Sequence, residues 1–150
     1  MISDQTLSQI DLFEGIPGEN LASIAKISEE ITCAEGKQVF QEGSSAEHIY
    51  ILLEGKVAIE VGLTSRPGGV TVAVISQPHL SFGWSGVIPP YHYTASAHCK
   101  TDSRLLAIPG QKLIQVLQQE PKSGFVVMQK IAEVIGSRLR NSRITLLKTL

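Results

Sequence analysis

The chain has 150 residues, a length that suits one domain with a real hydrophobic core. Hydrophobic residues make up 43% and charged residues 18%, which is typical of a folded globular domain and argues against disorder. The formal net charge of −1 provides no overall basic field, so direct binding of nucleic acid is not expected.

The N-terminal residues and the small number of cysteines indicate the cellular compartment of the protein. The opening stretch MISDQTLSQI lacks the positive and apolar regions of a secretory signal, and no apolar run approaches the length of a membrane span. Cys33 and Cys99 are too few for a disulfide framework. We therefore expect a cytoplasmic protein with reduced thiols and no association with a membrane.

Residues 1–30 are expected to form a helical lead-in to a single domain. Ser3 or Asp4 is placed to cap a short helix that runs through Leu12. A second helix is expected to start at Pro17, because proline suits the first turn of a helix. Its apolar residues recur at helical spacing, at Leu21, Ile24, Ala25 and Ile27.

Residues 31–109 have the pattern of an antiparallel β-barrel or sandwich, with short apolar runs separated by Gly, Ser and Pro. The continuous apolar run at 49–53 predicts a strand that is buried on both faces. The alternation at 57–61 predicts a half-exposed strand. Further strands are predicted at 70–75, 95–97 and 105–108, with a hairpin loop at 66–69.

Residues 110–150 are expected to form two helices, with Pro121 as the interruption between them. The second, at 125–150, has apolar positions that step by three and four, as in the seam of a coiled coil. The seam positions are Met128, Ala132, Ile135, Leu139, Ser142 and Leu146. We predict a homodimer through 125–150; the alternative is a helix that packs only on its own domain.

The segment 82–97, FGWSGVIPPYHYTASA, carries the strongest signs of a binding site. Gly83 and Gly86 are three residues apart, and such glycines let backbone N–H groups converge on an anion. A helical turn over 85–88 would add its free N–H groups. Hydroxyl groups nearby belong to Ser85, Thr94 and Ser96.

Two stretches resemble the cyclic-nucleotide-binding domains of the catabolite activator and fumarate-nitrate regulator type. The stretch 36–57 is similar to a family signature, with matches at Gly36, Phe40, Glu42, Gly43, Ala46, Tyr50, Gly55 and Val57. The segment 82–97 resembles the phosphate-binding cassette of the family, and we call it the cassette. Phe82, Gly83 and Gly86 match its front, and Thr94, Ala95 and Ser96 match its back.

The resemblance implies a mostly β fold: an eight-stranded double-stranded β-helix, or jelly-roll-like β-roll, with N-terminal helices and a long C-terminal dimerisation helix. It also implies a regulatory sensor without catalytic residues, metal or cofactor. The implied ligand-binding residues are Phe82, Gly83, Trp84, Ser85, Gly86, Tyr93, Thr94, Ala95 and Ser96. Because the 150 residues leave no room for the helix-turn-helix domain of the transcription factors, we expect a stand-alone sensor or the effector half of a regulator.

Two positions depart from the family pattern. Trp84 stands where the family has a glutamate for the ribose hydroxyl, and Tyr93 stands where it has an arginine for the cyclic phosphate. An indole only donates hydrogen bonds, and a tyrosine is uncharged at neutral pH. Loss of a charge-assisted phosphate contact costs about 1.5–3 kcal/mol of binding free energy. We therefore expect weak binding, or none, of cyclic AMP and cyclic GMP.

The two rings leave two interpretations open. They either provide flat apolar surface for a small anionic or planar ligand, or they fill the space of the nucleotide in a ligand-free interaction scaffold. The last helix also carries three arginines, Arg138, Arg140 and Arg143. They form either a solvated face of the helix, or a basic stripe from which one arginine reaches the pocket.

Two catalytic or metal-binding alternatives are weaker. The four histidines lack the His-x-His and carboxylate spacing of a cupin metal site. The residues around Ser85, GWSG, are one residue short of a nucleophile elbow.

Overall fold

The computed structural model describes residues 2–63 and 68–149, and within them it has eight strands and four α-helices. The strands are β1 (Glu29–Cys33), β2 (Gln38–Phe40), β3 (His48–Glu54), β4 (Val57–Gly62), β5 (Gly69–Ile75), β6 (Ser81–Phe82), β7 (Ser96–Cys99) and β8 (Ser103–Pro109). The helices are α1 (Asp4–Ser8), α2 (Gly18–Ile27), α3 (Gly110–Gln119) and α4 (Pro121–Thr149). The hairpin loop predicted at 66–69 lies partly outside the described residues.

The strands form two antiparallel sheets of four strands, in the orders β1-β8-β3-β6 and β2-β7-β4-β5. In the first sheet Ile51 lies opposite Leu106, and in the second Ile59 lies opposite Ala97. Neighbouring strands are mostly not consecutive in sequence, so the chain crosses repeatedly between the sheets. This is the topology of a jelly-roll-like β-roll, and the predicted mostly β fold with flanking helices is confirmed.

β3 supplies two separate hydrophobic cores, because successive side chains of a strand point to opposite faces. Ile49 and Ile51 face the helices and belong to what we call the outer core. Tyr50 and Leu52 face the space between the two sheets, which we call the inner core. The prediction that this strand is buried on both faces is therefore correct.

α1 is shorter than predicted. The Ser3 Oγ accepts a hydrogen bond from the Thr6 N–H at 3.1 Å, which confirms the cap. The helix ends at Ser8, however, and a separate 3-10 helix covers Asp11–Phe13. In one continuous helix Leu12 would lie about 200° from Ile10. The break lets both side chains enter the outer core.

The predicted alternation of β4 fails in its first half. Ala58 is fully buried, although the pattern placed it on the exposed face. Val74 of β5 and His98 of β7 lie beside Ala58 in register, and both side chains are larger. These neighbours cover the methyl group, an effect that the order of residues along one strand does not reveal.

α4 starts at Pro121, so this proline begins the long helix as well as ending the previous one. Val127 and Ile131 bury one face of α4 in the outer core. The Asn20 Nδ2 of α2 donates a buried hydrogen bond to the Ser123 Oγ at 2.6 Å, which ties the two helices together. α4 therefore packs on its own domain along its first half.

A second face of α4 remains exposed and apolar. It carries Phe125, Met128 and Leu139, which are 69%, 41% and 52% exposed. Ile135 differs from the predicted seam, because it is half-buried against the outer core. The exposed stripe therefore does not include Ile135, which lies beside it on the helix.

Candidate functional site

The front of the cassette is a tight turn that lies against β3. β6 ends at Phe82, Gly83 adopts a left-handed conformation with φ of +73°, and a 3-10 helix covers Trp84–Gly86. A Cβ atom at Gly86 would lie 2.5 Å from the carbonyl carbon and oxygen of His48. Glycine at 86 is therefore required for close packing of the turn on β3.

The N–H groups of this turn are used within the turn. The N–H of Gly86 donates to the Gly83 carbonyl at 3.1 Å, and that of Val87 donates to the Trp84 carbonyl at 2.9 Å. The N–H of Ile88 donates to Ser85 at 3.4 Å. Three of the four N–H groups at 85–88 are thus already used, so this turn offers an anion less than the spacing of the glycines suggested.

Tyr93, at the back of the cassette, lies inside the roll. Its ring stacks on Phe40 with the centroids 3.8 Å apart and the planes 10° apart. Its hydroxyl donates a hydrogen bond to the His48 carbonyl at 2.7 Å. Burial raises the pKa of Tyr93, so the ring is neutral at physiological pH. Tyr93 is thus a satisfied member of the inner core.

The space enclosed by the cassette is very small. A cavity of about 30 Å³ remains between the cassette, Phe40, Ile59 and Arg138. That is about the volume of one water molecule, whereas pockets for small molecules measure about 300–1,000 Å³. By itself this pocket is too small for a nucleotide, and it shares Ile59, Trp84, Thr94, Ala95 and Arg138 with a larger cleft.

Arg138 of α4 reaches the cassette. Its guanidinium carbon lies 4.5 Å from the centroid of the Trp84 ring, the geometry of a cation–π contact. Its Nη2 donates a hydrogen bond to the Ser81 carbonyl at 2.5 Å. Burial lowers the pKa of Arg138 to about 10, so the side chain remains charged near neutral pH. The sequence left open whether the arginines of this helix are solvated or whether one reaches the pocket, and Arg138 does reach the pocket.

A larger cleft adjoins the cassette. It has a volume of about 450 Å³ and separates β4 and β5 from the second half of α4. Trp84, Thr94 and Ala95 form its floor, and Arg138 lies at its edge. Trp84 is half-buried, so its ring packs against the protein on one side and lines the cleft on the other.

The structure brings together most of the residues that the sequence predicted for the site. Gly83, Trp84, Ser85, Tyr93, Thr94 and Ala95 surround the small cavity. Phe82 lies behind it, stacked on Tyr50 with the centroids 5.5 Å apart. Ser96 faces the outside of the roll, where its Oγ accepts a hydrogen bond from the Glu42 N–H at 2.8 Å. Ser96 therefore does not join the others.

Sequence reasoning left Phe40, Ile59 and Arg138 out of the predicted ligand-binding residues. The periodicity of α4 contained a signal for Arg138, because it lies seven residues after the buried Ile131 and so near the same face. No comparable signal linked Phe40 to Tyr93, since backbone hydrogen bonds between Tyr93 and residues 43–44, distant in sequence, bring them together.

The weaker alternatives can be placed in the structure. Within residues 2–63 and 68–149, no three His, Cys, Asp or Glu side chains are grouped to hold a metal ion. The His98 Nε2 instead lies 2.8 Å from the Glu60 carboxylate. Ser85 lies in a three-residue 3-10 helix, whereas a nucleophile elbow leads into a long helix. In the described part of the chain no helix has the length and apolarity to cross a membrane.

A family model for the cyclic nucleotide-binding domain matches residues 30–120. A CRP-like cAMP-activated global transcriptional regulator from Mycobacterium tuberculosis is 24% identical over 139 residues. The match covers 93% of this chain and 59% of the regulator, so the chain spans less than two thirds of that relative.

Solved structures show the same fold. A putative cyclic nucleotide-binding protein from Geobacter metallireducens is 33% identical, with a TM-score of 0.80, and the match covers 93% of this chain and 99% of that one. A cyclic nucleotide-binding domain from Methylobacillus flagellatus is 19% identical, with a TM-score of 0.81, over 97% of this chain and 81% of that one.

Proposed function

Because the chain belongs to the cyclic nucleotide-binding domain family, we propose that it is a regulatory ligand-sensing domain whose pocket has been remodelled against cyclic nucleotides. The proposal assigns regulation and not catalysis. A location in the cytoplasm is part of it, supported by the transcriptional regulator among the relatives.

The single observation that supports the remodelled pocket is the position of Tyr93. Its ring occupies the inner core against Phe40, and its hydroxyl is bonded to His48. Any group that took this space would have to displace a stacked ring and break a buried hydrogen bond. The cation and the acceptor that the family uses are also absent, since positions 93 and 84 carry Tyr and Trp.

Arg138 provides the link from the cassette to the long helix. It contacts the Ser81 carbonyl and the Trp84 ring on the roll, while its backbone belongs to α4. A ligand that moves Trp84, or that hydrogen-bonds to Arg138, would change the contacts between α4 and the roll. We propose that this contact transmits the ligand signal to α4.

The partner that α4 would signal to is a second copy of this chain. The exposed apolar stripe at Phe125, Met128 and Leu139 supports this part of the proposal, because such a stripe is unfavourable in water. The domain would then act as a homodimer, either alone or as the effector half of a longer regulator. The ligand-free scaffold remains the second candidate, favoured by the small volume enclosed by the cassette.

The proposal is tested by calorimetric titration with cyclic AMP and cyclic GMP. We expect the wild-type protein to show dissociation constants weaker than about 100 μM, because both charged contacts are missing. The double variant Trp84→Glu with Tyr93→Arg restores an acceptor and a cation, and it should bind at least about tenfold more tightly.

Tyr93→Phe is the matched control, since it keeps the ring but adds no charge. It should bind the nucleotides as weakly as the wild type. Sub-micromolar binding of either nucleotide by the wild-type protein would show that the pocket is not remodelled in the proposed sense.

A further inference from the structure

The cleft between the second sheet and α4 has apolar side chains on both walls. Val72 and Val74 of β5, which are 46% and 50% exposed, line one wall, and Ile135 of α4, which is half-buried and lies beside the exposed stripe, lines the other. The cleft has a volume of about 450 Å³, and exposed apolar surface of this kind often marks a ligand-binding groove. The cleft therefore suits a ligand with an apolar body.

One end of this cleft carries an uncompensated positive charge. Arg138 lines the cleft, and the ion pairs found in the described residues involve other side chains. Of its five N–H donors, the structure engages one at the Ser81 carbonyl. The guanidinium thus retains donors for a planar two-oxygen acceptor, and Asn141 and Ser142 add polar groups nearby.

We propose that the cleft binds an amphipathic monocarboxylate, with the carboxylate on Arg138 and the apolar body between Val72, Val74 and Ile135. The charge of Arg138 and the apolar walls select this class together, because a carboxylate matches the guanidinium fork and a hydrocarbon body matches the valines. This inference rests on the proposed remodelled pocket, and it locates the ligand outside the filled interior of the roll.

The test uses the fluorescence of Trp84, which is the only tryptophan of the chain and lies in the wall of the cleft. Octanoate is the probe, and octanol is the uncharged control with the same chain length. Octanoate should change the emission in a saturable manner, with a dissociation constant below about 1 mM, and octanol should bind at least about tenfold more weakly.

Variants of the cleft identify the contacts. Arg138→Gln should weaken octanoate binding by at least about tenfold, and Arg138→Lys should retain part of it, because the charge remains. Arg140→Gln, an exposed neighbour on the same helix, is the matched control and should bind like the wild type. Since Arg138 also contacts the fold, Val74→Glu provides a second variant at an exposed wall position, and it should abolish binding by repelling the carboxylate.

The outcomes separate this inference from the proposed function. Absence of a saturable change with octanoate, or equal binding by Arg138→Gln and the wild type, overturns the carboxylate site. If cyclic nucleotides are also bound weakly, the remodelled pocket still holds after that failure. Sub-micromolar binding of cyclic AMP would instead overturn the proposed function on which the inference rests.

Discussion

At the scale of single residues, Tyr93 and Trp84 divide the two roles that the sequence left open. Tyr93 lies in the inner core, stacked on Phe40 and 5% exposed. Trp84 remains half-buried, with Arg138 over its ring and the outer cleft beside it. The first ring therefore belongs to the core, while the second is partly open to solvent in the cleft.

The glycines of the cassette provide a prediction at this scale. Gly86→Ala should lower the free energy of unfolding by about 3 kcal/mol, because the new Cβ would meet the backbone of His48 at 2.5 Å. Gly18→Ala is the matched control. Nothing lies within 4 Å of a Cβ at that position, so the change should be neutral or stabilising by up to about 1 kcal/mol.

Urea unfolding at one protein concentration measures both variants. An equal effect of Gly86→Ala and Gly18→Ala would contradict the close packing of the turn on β3.

At the scale of elements, α4 has two different faces. Its buried face, at Val127 and Ile131, holds the outer core together. Its exposed stripe runs through Phe125, Met128 and Leu139. The two faces lie about a third of a turn apart, so one helix can pack on its own domain and still present a surface to a second copy.

The stripe predicts which substitutions would separate the proposed dimer. Met128→Asp combined with Leu139→Asp should raise the dissociation constant of the dimer by more than about 100-fold, because it buries two unpaired carboxylates. Sedimentation equilibrium measures the change.

Ser137→Asp is the control for this experiment, since Ser137 is exposed and lies about 200° around the helix from Leu139. It should leave the dimer intact. A wild-type protein that sediments as a monomer at tens of micromolar would show that the stripe has another role.

At the scale of the whole molecule, the N-terminal helices form part of the core even though the family match begins at residue 30. Leu12, Phe13 and Ile24 lie in the outer core against β3 and α4. Each fully buried side chain of this kind contributes about 1.5–3 kcal/mol. Their sum is comparable to the entire stability of an ordinary domain, about 5–15 kcal/mol.

A protein that lacks residues 2–28 should therefore lose its cooperative unfolding transition and bind a hydrophobic dye. Its control lacks residues 144–150, where the described side chains are exposed, and it should unfold cooperatively like the wild type. Urea denaturation followed by circular dichroism distinguishes the two. Cooperative unfolding of the protein without residues 2–28 would show that the roll is stable without its outer core.

The sequence by itself determined the class of fold and the place of the cassette. The apolar run at 49–53 predicted a strand buried on both faces, and the spacing of Gly83 and Gly86 predicted a tight turn. These features depend on neighbours along the chain, through strand alternation and the freedom of glycine.

Only the tertiary structure decided what the cassette encloses. Tyr93 meets Phe40, 53 residues away, because the backbone of Tyr93 exchanges hydrogen bonds with Gly43 and Ser44, which follow β2. Arg138 reaches Ser81 because α4 packs across the first sheet, and Ser96 turns outward because it alternates with the buried Ala97. These contacts join residues distant in sequence, and their positions follow from the packing of whole elements, which no local pattern of residues specifies.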